Sequence, residues 1–106
     1  MKSYLISQVE VIDAEAWERY RELAAPAIAH FGGRYLVRGA RPEVLEGDDW
    51  APPAADRQQI IVVEFPDEQA IHAWYASAEY AQALAYRQRA VRRRLLFVDG
   101  VERQPA

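Results

Sequence analysis

Glu64 stands in the run "IIVVEFP" at residues 60–66, directly behind four β-branched aliphatics. A carboxylate in such surroundings is held toward its neutral form and can act as a general base. The same residue can instead pin a strand end by pairing with a cation, and Arg38, at the end of the preceding long strand, is the natural partner. Arg87 raises a similar question. Helical spacing places it among Tyr80, Ala83, Leu84 and Val91, in the middle of an apolar stripe. Arginine is seldom buried without a partner. One reading is an anion clamp that grips a carboxylate or enolate oxygen in a fork. The other is a structural pair with Glu64 or Glu79, or a snorkelling stem.

His30 lies at the end of the first helix beside a Gly-Gly turn, where a cation suits the helix dipole. Turned toward a cavity, it would be the strongest acid–base candidate in the chain. His72 shares a helix side with Glu68 and reads as solvated. Trp17, Tyr20, Trp74, Tyr75 and Tyr80 make the helix faces aromatic. Stripes at this spacing are usually core. Yet buried Tyr and Trp need partners for their polar tips, and a cavity lined by Tyr20, Trp74 and Tyr80 would accept a flat organic ligand. Trp50, in a loop rich in Pro and Ala, would serve as a lid or as an anchor on a partner subunit.

Other chemistries find little support. The two histidines are far apart and there is no cysteine, so no metal site, disulfide or thiol nucleophile is expected. A haem would have only His30 or His72 as axial ligand. There is no phosphate-binding glycine loop and no Ser/His/Asp pattern. "RQRAVRRR" at 87–94 is basic, but the net charge is −3 and "RYLVRG" is a poor RNA-binding motif. The basic run therefore reads as a solvated helix end, and no nucleic-acid partner is expected.

The elements that must position these residues follow from periodicity. "SYLISQVEV" at 3–11 alternates as a strand. Asp13 caps a helix over 14–31, in which Pro26 should cause a kink or a split near Leu23. Gly32 and Gly33 stop it. Strands follow at 34–39 and 58–65, with 42–47 as a short edge strand or arm. Pro66 and Asp67 start a helix that breaks at Ser77 and resumes to about residue 91, and 94–101 forms the last strand. The order β-α-β-β-α-β is the α+β, ferredoxin-like pattern, with helices over one face of an antiparallel sheet.

The open face of such a sheet is normally polar. Here both faces are apolar: Ile60 and Val62 oppose Ile61 and Val63, and Leu95 and Phe97 oppose Leu96 and Val98. The helices cover only one face, so a homodimer packed through the other is expected. With 106 residues, 51% of them hydrophobic and 27% charged, the chain is expected to be a single soluble domain, residues 1–106. Nothing in it resembles a signal peptide or a membrane span, which fits a cytoplasmic protein without a membrane partner.

The segments "GGRYLVRG", "EVLEG", "VVEFP" and "AWYASAEYAQAL", with Pro26 and Arg87, resemble the family called domain of unknown function 1330. The resemblance spans about Tyr4 to Gly100 and implies a subunit of the dimeric α/β-barrel superfamily. That superfamily includes cofactor-free mono-oxygenases, lactone isomerases and haem-dependent enzymes, so the fold does not fix the function. The expected activity is cofactor-free proton transfer or oxidation on a small apolar or phenolic anion. Arg38 and Arg87 would hold the anion, and Glu64 or His30 would move the proton. The alternative is a binding or purely structural dimeric module.

Overall fold

Short polar residues at the predicted breaks set the boundaries of the chain's elements. A computed structural model describes residues 1–47 and 58–101. Its elements are β1 (Ser3–Val11), α1 (Ala14–His30), β2 (Arg34–Ala40), β3 (Gln58–Phe65), α2 (Glu68–Tyr75), α3 (Ala78–Ala90) and β4 (Val91–Asp99). Asp13 caps α1 by accepting from the amides of Glu15 and Ala16, each at 3.1 Å. Asp67 and Ser77 cap α2 and α3 in the same way. At the other end of α1, Gly32 takes φ +83°. Its amide reaches Ala29 and that of Gly33 reaches Ile28, so the last carbonyls of the helix are satisfied. A Cβ on Gly33 would fall 2.5 Å from the Ile28 side chain, which explains the second glycine.

The strands form one antiparallel sheet in the order β2-β3-β1-β4, with the helices on one face, giving the ferredoxin-like α+β fold. Leu5, Val9, Val63 and Phe65 face the helices and are buried against Trp17, Tyr20, Ile28, Trp74 and Tyr80. Each aliphatic or aromatic side chain sealed there contributes roughly 1.5–3 kcal/mol. The opposite face is apolar along its centre. Ile6 and Val62 are half-buried, while Leu36, Leu96 and Val98 are 47%, 40% and 47% exposed. None of the described helices is long and apolar enough to cross a membrane.

Several expectations need correction. Pro26 does not split α1, which runs unbroken from Ala14 to His30; Ala24, Ala27 and Ile28 are buried on either side of it and hold the helix against its neighbours. Residues 42–47 form no strand. Trp50 lies outside the described residues. The basic run at 87–94 is not a single helix end. The helix stops at Ala90, whose carbonyl accepts from the amides of Ile12 and Asp13 at 2.8 and 3.1 Å. Val91 is already extended, at φ −148° and ψ 156°. Arg92, Arg93 and Arg94 therefore alternate across β4.

The most consequential departure is in β2. Tyr35 pairs with Val63 and Val37 with Val62, so the register slips by one residue around Leu36. Such a bulge turns the side chains that follow it to the other face, here until a second slip between Arg38 and Ala40 reverses the effect. Val37 joins the open face and Arg38, opposite Ile61, joins the face beneath the helices.

Candidate functional site

Between the helices and the sheet lies a cavity of about 40 Å³. Its walls are mostly apolar: Leu5, Ile28, Ile61, Val63 and Leu95, with Trp17 and Trp74. Its polar lining is Ser7, Tyr20, Tyr35 and three arginines, Arg21, Arg38 and Arg93. Among the described residues, none that lines the cavity carries a carboxylate or an imidazole.

Arg93 organises the polar end. It rises from β4 on the same face as Leu95 and Val91, an alternation of period two. One guanidinium nitrogen, Nη1, donates to the Tyr20 hydroxyl at 2.7 Å. Nη2 donates to the Tyr80 hydroxyl at 2.9 Å. The two hydroxyls lie 2.8 Å apart. Tyr20 comes from α1 and Tyr80 from α3, so the cluster ties both helices to the sheet edge.

Proton counting gives this cluster its character. Each hydroxyl oxygen accepts from Arg93, and one hydroxyl donates to the other. The second hydroxyl then keeps a proton with no acceptor in the cluster. Arg93 Nε, Trp74 Nε1 and Ser7 Oγ are also buried without a hydrogen-bond partner among the described residues. Among the described residues the site has more donors than acceptors, and none supplies an anion to balance the Arg93 charge.

Burial pushes the Tyr20 hydroxyl pKa well above the ordinary phenol value, and the nearby Arg93 charge offsets this only in part. Tyr20 is therefore a neutral donor across the physiological range. Burial alone would lower the Arg93 pKa, but its contacts with Tyr20 and Tyr80 outweigh this and the net direction is upward. The guanidinium stays charged. Tyr35 is also shifted up by burial, with Arg38 and Arg21 opposing. The Arg38 guanidinium stacks 4.2 Å from the centre of the Tyr35 ring. Arg21 pairs with Glu18 at 3.2 Å toward solvent.

The residues singled out by sequence are thus divided. Arg38, Tyr20 and Trp74 line the cavity. Tyr80 sits fully buried behind Tyr20. Arg87 is half-buried in the last turn of α3, outside the cavity lining, with its Nε unpaired. His30 is exposed and bonded to Glu79 through Nδ1. Glu64 lies on the open face of the sheet. There it meets Arg34 at 3.2 Å, Lys2 at 3.6 Å and the Tyr4 hydroxyl at 3.3 Å. The expected Glu64–Arg38 pair does not form. In an antiparallel pair the end of β3 meets the start of β2, which is Arg34, and the bulge sends Arg38 to the other face. Neither Glu64 nor Glu79 pairs with Arg87. Sequence reading missed Arg93; its signal was the alternation of Val91, Arg93, Leu95 and Phe97.

The sequence matches the family described as Domain of unknown function (DUF1330) over residues 2–101. No curated protein matches it. Among solved structures it is similar to RPA0582, a protein of unknown function from Rhodopseudomonas palustris, at 20% identity and a TM-score of 0.77, covering 96% of this chain and 84% of that one. It is also similar to SnoaB, a cofactor-independent oxygenase from Streptomyces nogalater, at 12% identity and a TM-score of 0.68, covering 99% and 98%. A protein of unknown function from Bacteroides thetaiotaomicron, described as a possible oxidoreductase, aligns at 16% identity and a TM-score of 0.57, covering 92% and 95%. At these identities the likeness carries the fold.

Proposed function

From a chain that belongs to the domain of unknown function 1330 family, we propose a protein that binds the oxyanion of a compact enol or phenol in the helix–sheet cavity. One observation carries this reading: a half-buried guanidinium shared by two neutral phenols, with spare donors and no counter-anion among the described residues, at the end of an apolar pocket. An uncompensated cation in low dielectric attracts an anion far more strongly than it would in water. Arg93 and Tyr20 hold the oxygen, Tyr80 fixes Tyr20, and Trp74 covers the ring or chain of the ligand. Arg38 adds charge at the wall. Roughly 150 Å³ is needed for a benzene-sized guest, so the solvent-reaching Arg21 and Arg38 side chains swing outward on binding. Glu64, His30 and Arg87 take no direct part.

The same donors favour a reaction that begins by ionising the substrate. The acidic proton leaves to water, and the bound anion is then reprotonated at carbon or passes an electron to dioxygen. The similarity to SnoaB supports the oxidative branch. An apolar lining in which the described residues offer arginines, tyrosines and a serine, but no carboxylate or imidazole, favours a second reading, a binding module that does not turn its ligand over. Oxygen uptake by the loaded protein separates the two.

The apolar open face supports a homodimer packed sheet to sheet through Ile6, Val62, Leu96 and Val98. A standard interface of about 800 Å² per partner would cover that strip.

The test uses 4-nitrophenol, whose anion absorbs in the visible. Wild-type protein should raise the anion fraction at a pH below the ligand's own ionisation midpoint. Arg93→Met should weaken binding of the anion about 100-fold, about 2.7 kcal/mol, the size of a charge-assisted hydrogen bond. Equal anion binding by wild type and Arg93→Met would overturn the proposal.

A further inference from the structure

The oxyanion reading accounts for the unused donors of Arg93 and Tyr20 but leaves two polar atoms of the same cavity without a task, Trp74 Nε1 and Ser7 Oγ, of which only the second can both donate and accept. Ser7 is 4% exposed, and its hydroxyl has no hydrogen-bond partner among the described residues. It lies in the middle of β1, between Ile61 of β3 and Leu95 of β4, and faces the cavity with both. A buried hydroxyl that bonds to nothing costs roughly 1–3 kcal/mol. The position is surrounded by Leu5, Val9, Val63 and Leu95, where an aliphatic residue would fit the pattern of the strand. A hydroxyl here has its bonding capacity free for a molecule inside the cavity.

Register locates it relative to the anion site. Arg93 pairs with Val9 and Leu95 pairs with Ser7, so Ser7 and Arg93 are diagonal neighbours on one face of adjacent strands. Such neighbours have Cβ atoms within about 7–8 Å of each other, a gap that one small ligand can bridge. A guest whose first oxygen sits on Arg93 and Tyr20 therefore presents its adjacent atoms toward Ser7. Unlike a guanidinium or an indole, a hydroxyl both donates and accepts. It can bond a second oxygen whether that oxygen is a carbonyl or a hydroxyl.

Resting on the oxyanion reading, we infer that the ligand carries two neighbouring oxygens, as in a catechol or an enolised dicarbonyl. Arg93 and Tyr20 take the ionised oxygen and Ser7 takes the other. Ser7 is thus the residue that selects a two-oxygen ligand over one with a single oxygen.

A matched pair of probes tests this: 4-nitrocatechol with two adjacent oxygens and 4-nitrophenol with one. Both are titrated into wild-type, Ser7→Ala and Arg93→Met proteins, with the melting temperature of each empty protein recorded. Wild type should prefer 4-nitrocatechol, and Ser7→Ala should cut that preference about tenfold while raising the melting temperature. If both probes bind through Arg93 but the preference is unchanged in Ser7→Ala, the two-oxygen inference fails and the oxyanion site stands. A lower melting temperature for Ser7→Ala would likewise overturn it, because the hydroxyl would then serve the fold. If Arg93→Met leaves both affinities intact, the oxyanion reading itself fails.

Discussion

The two faces of the sheet each hold a charge in an apolar strand, and they treat it in opposite ways. On the open face Glu64 is ringed by Arg34, Lys2 and Tyr4, so its charge is compensated twice over. Beneath the helices, the hydrogen-bond partners of Arg93 among the described residues are two neutral phenols. A compensated charge at a strand end is a structural solution. A charge supplied with hydrogen bonds but no counter-ion is electrostatically incomplete. It is stable enough to fold because the phenols solvate it, and it is still attractive to an anion. Glu64 thus has the environment of a brace, and Arg93 that of the proposed anion site.

The largest expected effect concerns the open face. Val62→Glu places a carboxylate in the middle of the strip proposed to pack against a second copy. Burying it unpaired should weaken the dimer about a thousandfold, about 4 kcal/mol. Sedimentation should then show wild type as a dimer and the variant as a folded monomer at the same concentration. A monomeric wild type would end the idea that a partner covers this face.

A smaller effect belongs to the inner face and is read from pH. Tyr20 keeps its proton in the folded protein to a pH well above the ordinary value of 10.0. The unfolded chain loses it near 10, so the stabilisation from this group is complete below that pH. Above it, the folded state binds the extra proton and stability falls as pH rises, by about 1.4 kcal/mol per unit. Urea unfolding of wild type should therefore lose ground against Tyr20→Phe only above about pH 10. Parallel curves for the two proteins through pH 11 would show that Tyr20 ionises freely and that the pocket is wetter than its lining implies.

The smallest effect is that of Glu64→Gln. Lys2 and Arg34 are 61% and 71% exposed at their side chains, so losing the pair should cost less than about 1 kcal/mol. Binding of 4-nitrophenol should not change. A large fall in binding or turnover would return Glu64 to the chemistry and dissolve the contrast between the faces.

Much of the architecture was legible in residue types alone. Gln58–Phe65 is a strand because β-branched residues run through it, and Asp13, Asp67 and Ser77 mark helix starts because their side chains accept from the next turn's amides. The aromatic stripe that supplies Tyr20, Trp74 and Tyr80 was equally visible as helical spacing. These features are local: each depends on a few neighbouring residues. The bulge at Leu36 and the abrupt change from α3 to β4 at Ala90 are not local. The first is fixed by pairing with β3 and the second by hydrogen bonds from Ile12 and Asp13. Together they put Arg38 and Arg93 under the helices and leave Glu64 outside. Side-chain direction in a strand reverses with a one-residue shift, so local patterning determined which residues could do chemistry and only the assembled sheet decided which of them face the same cavity.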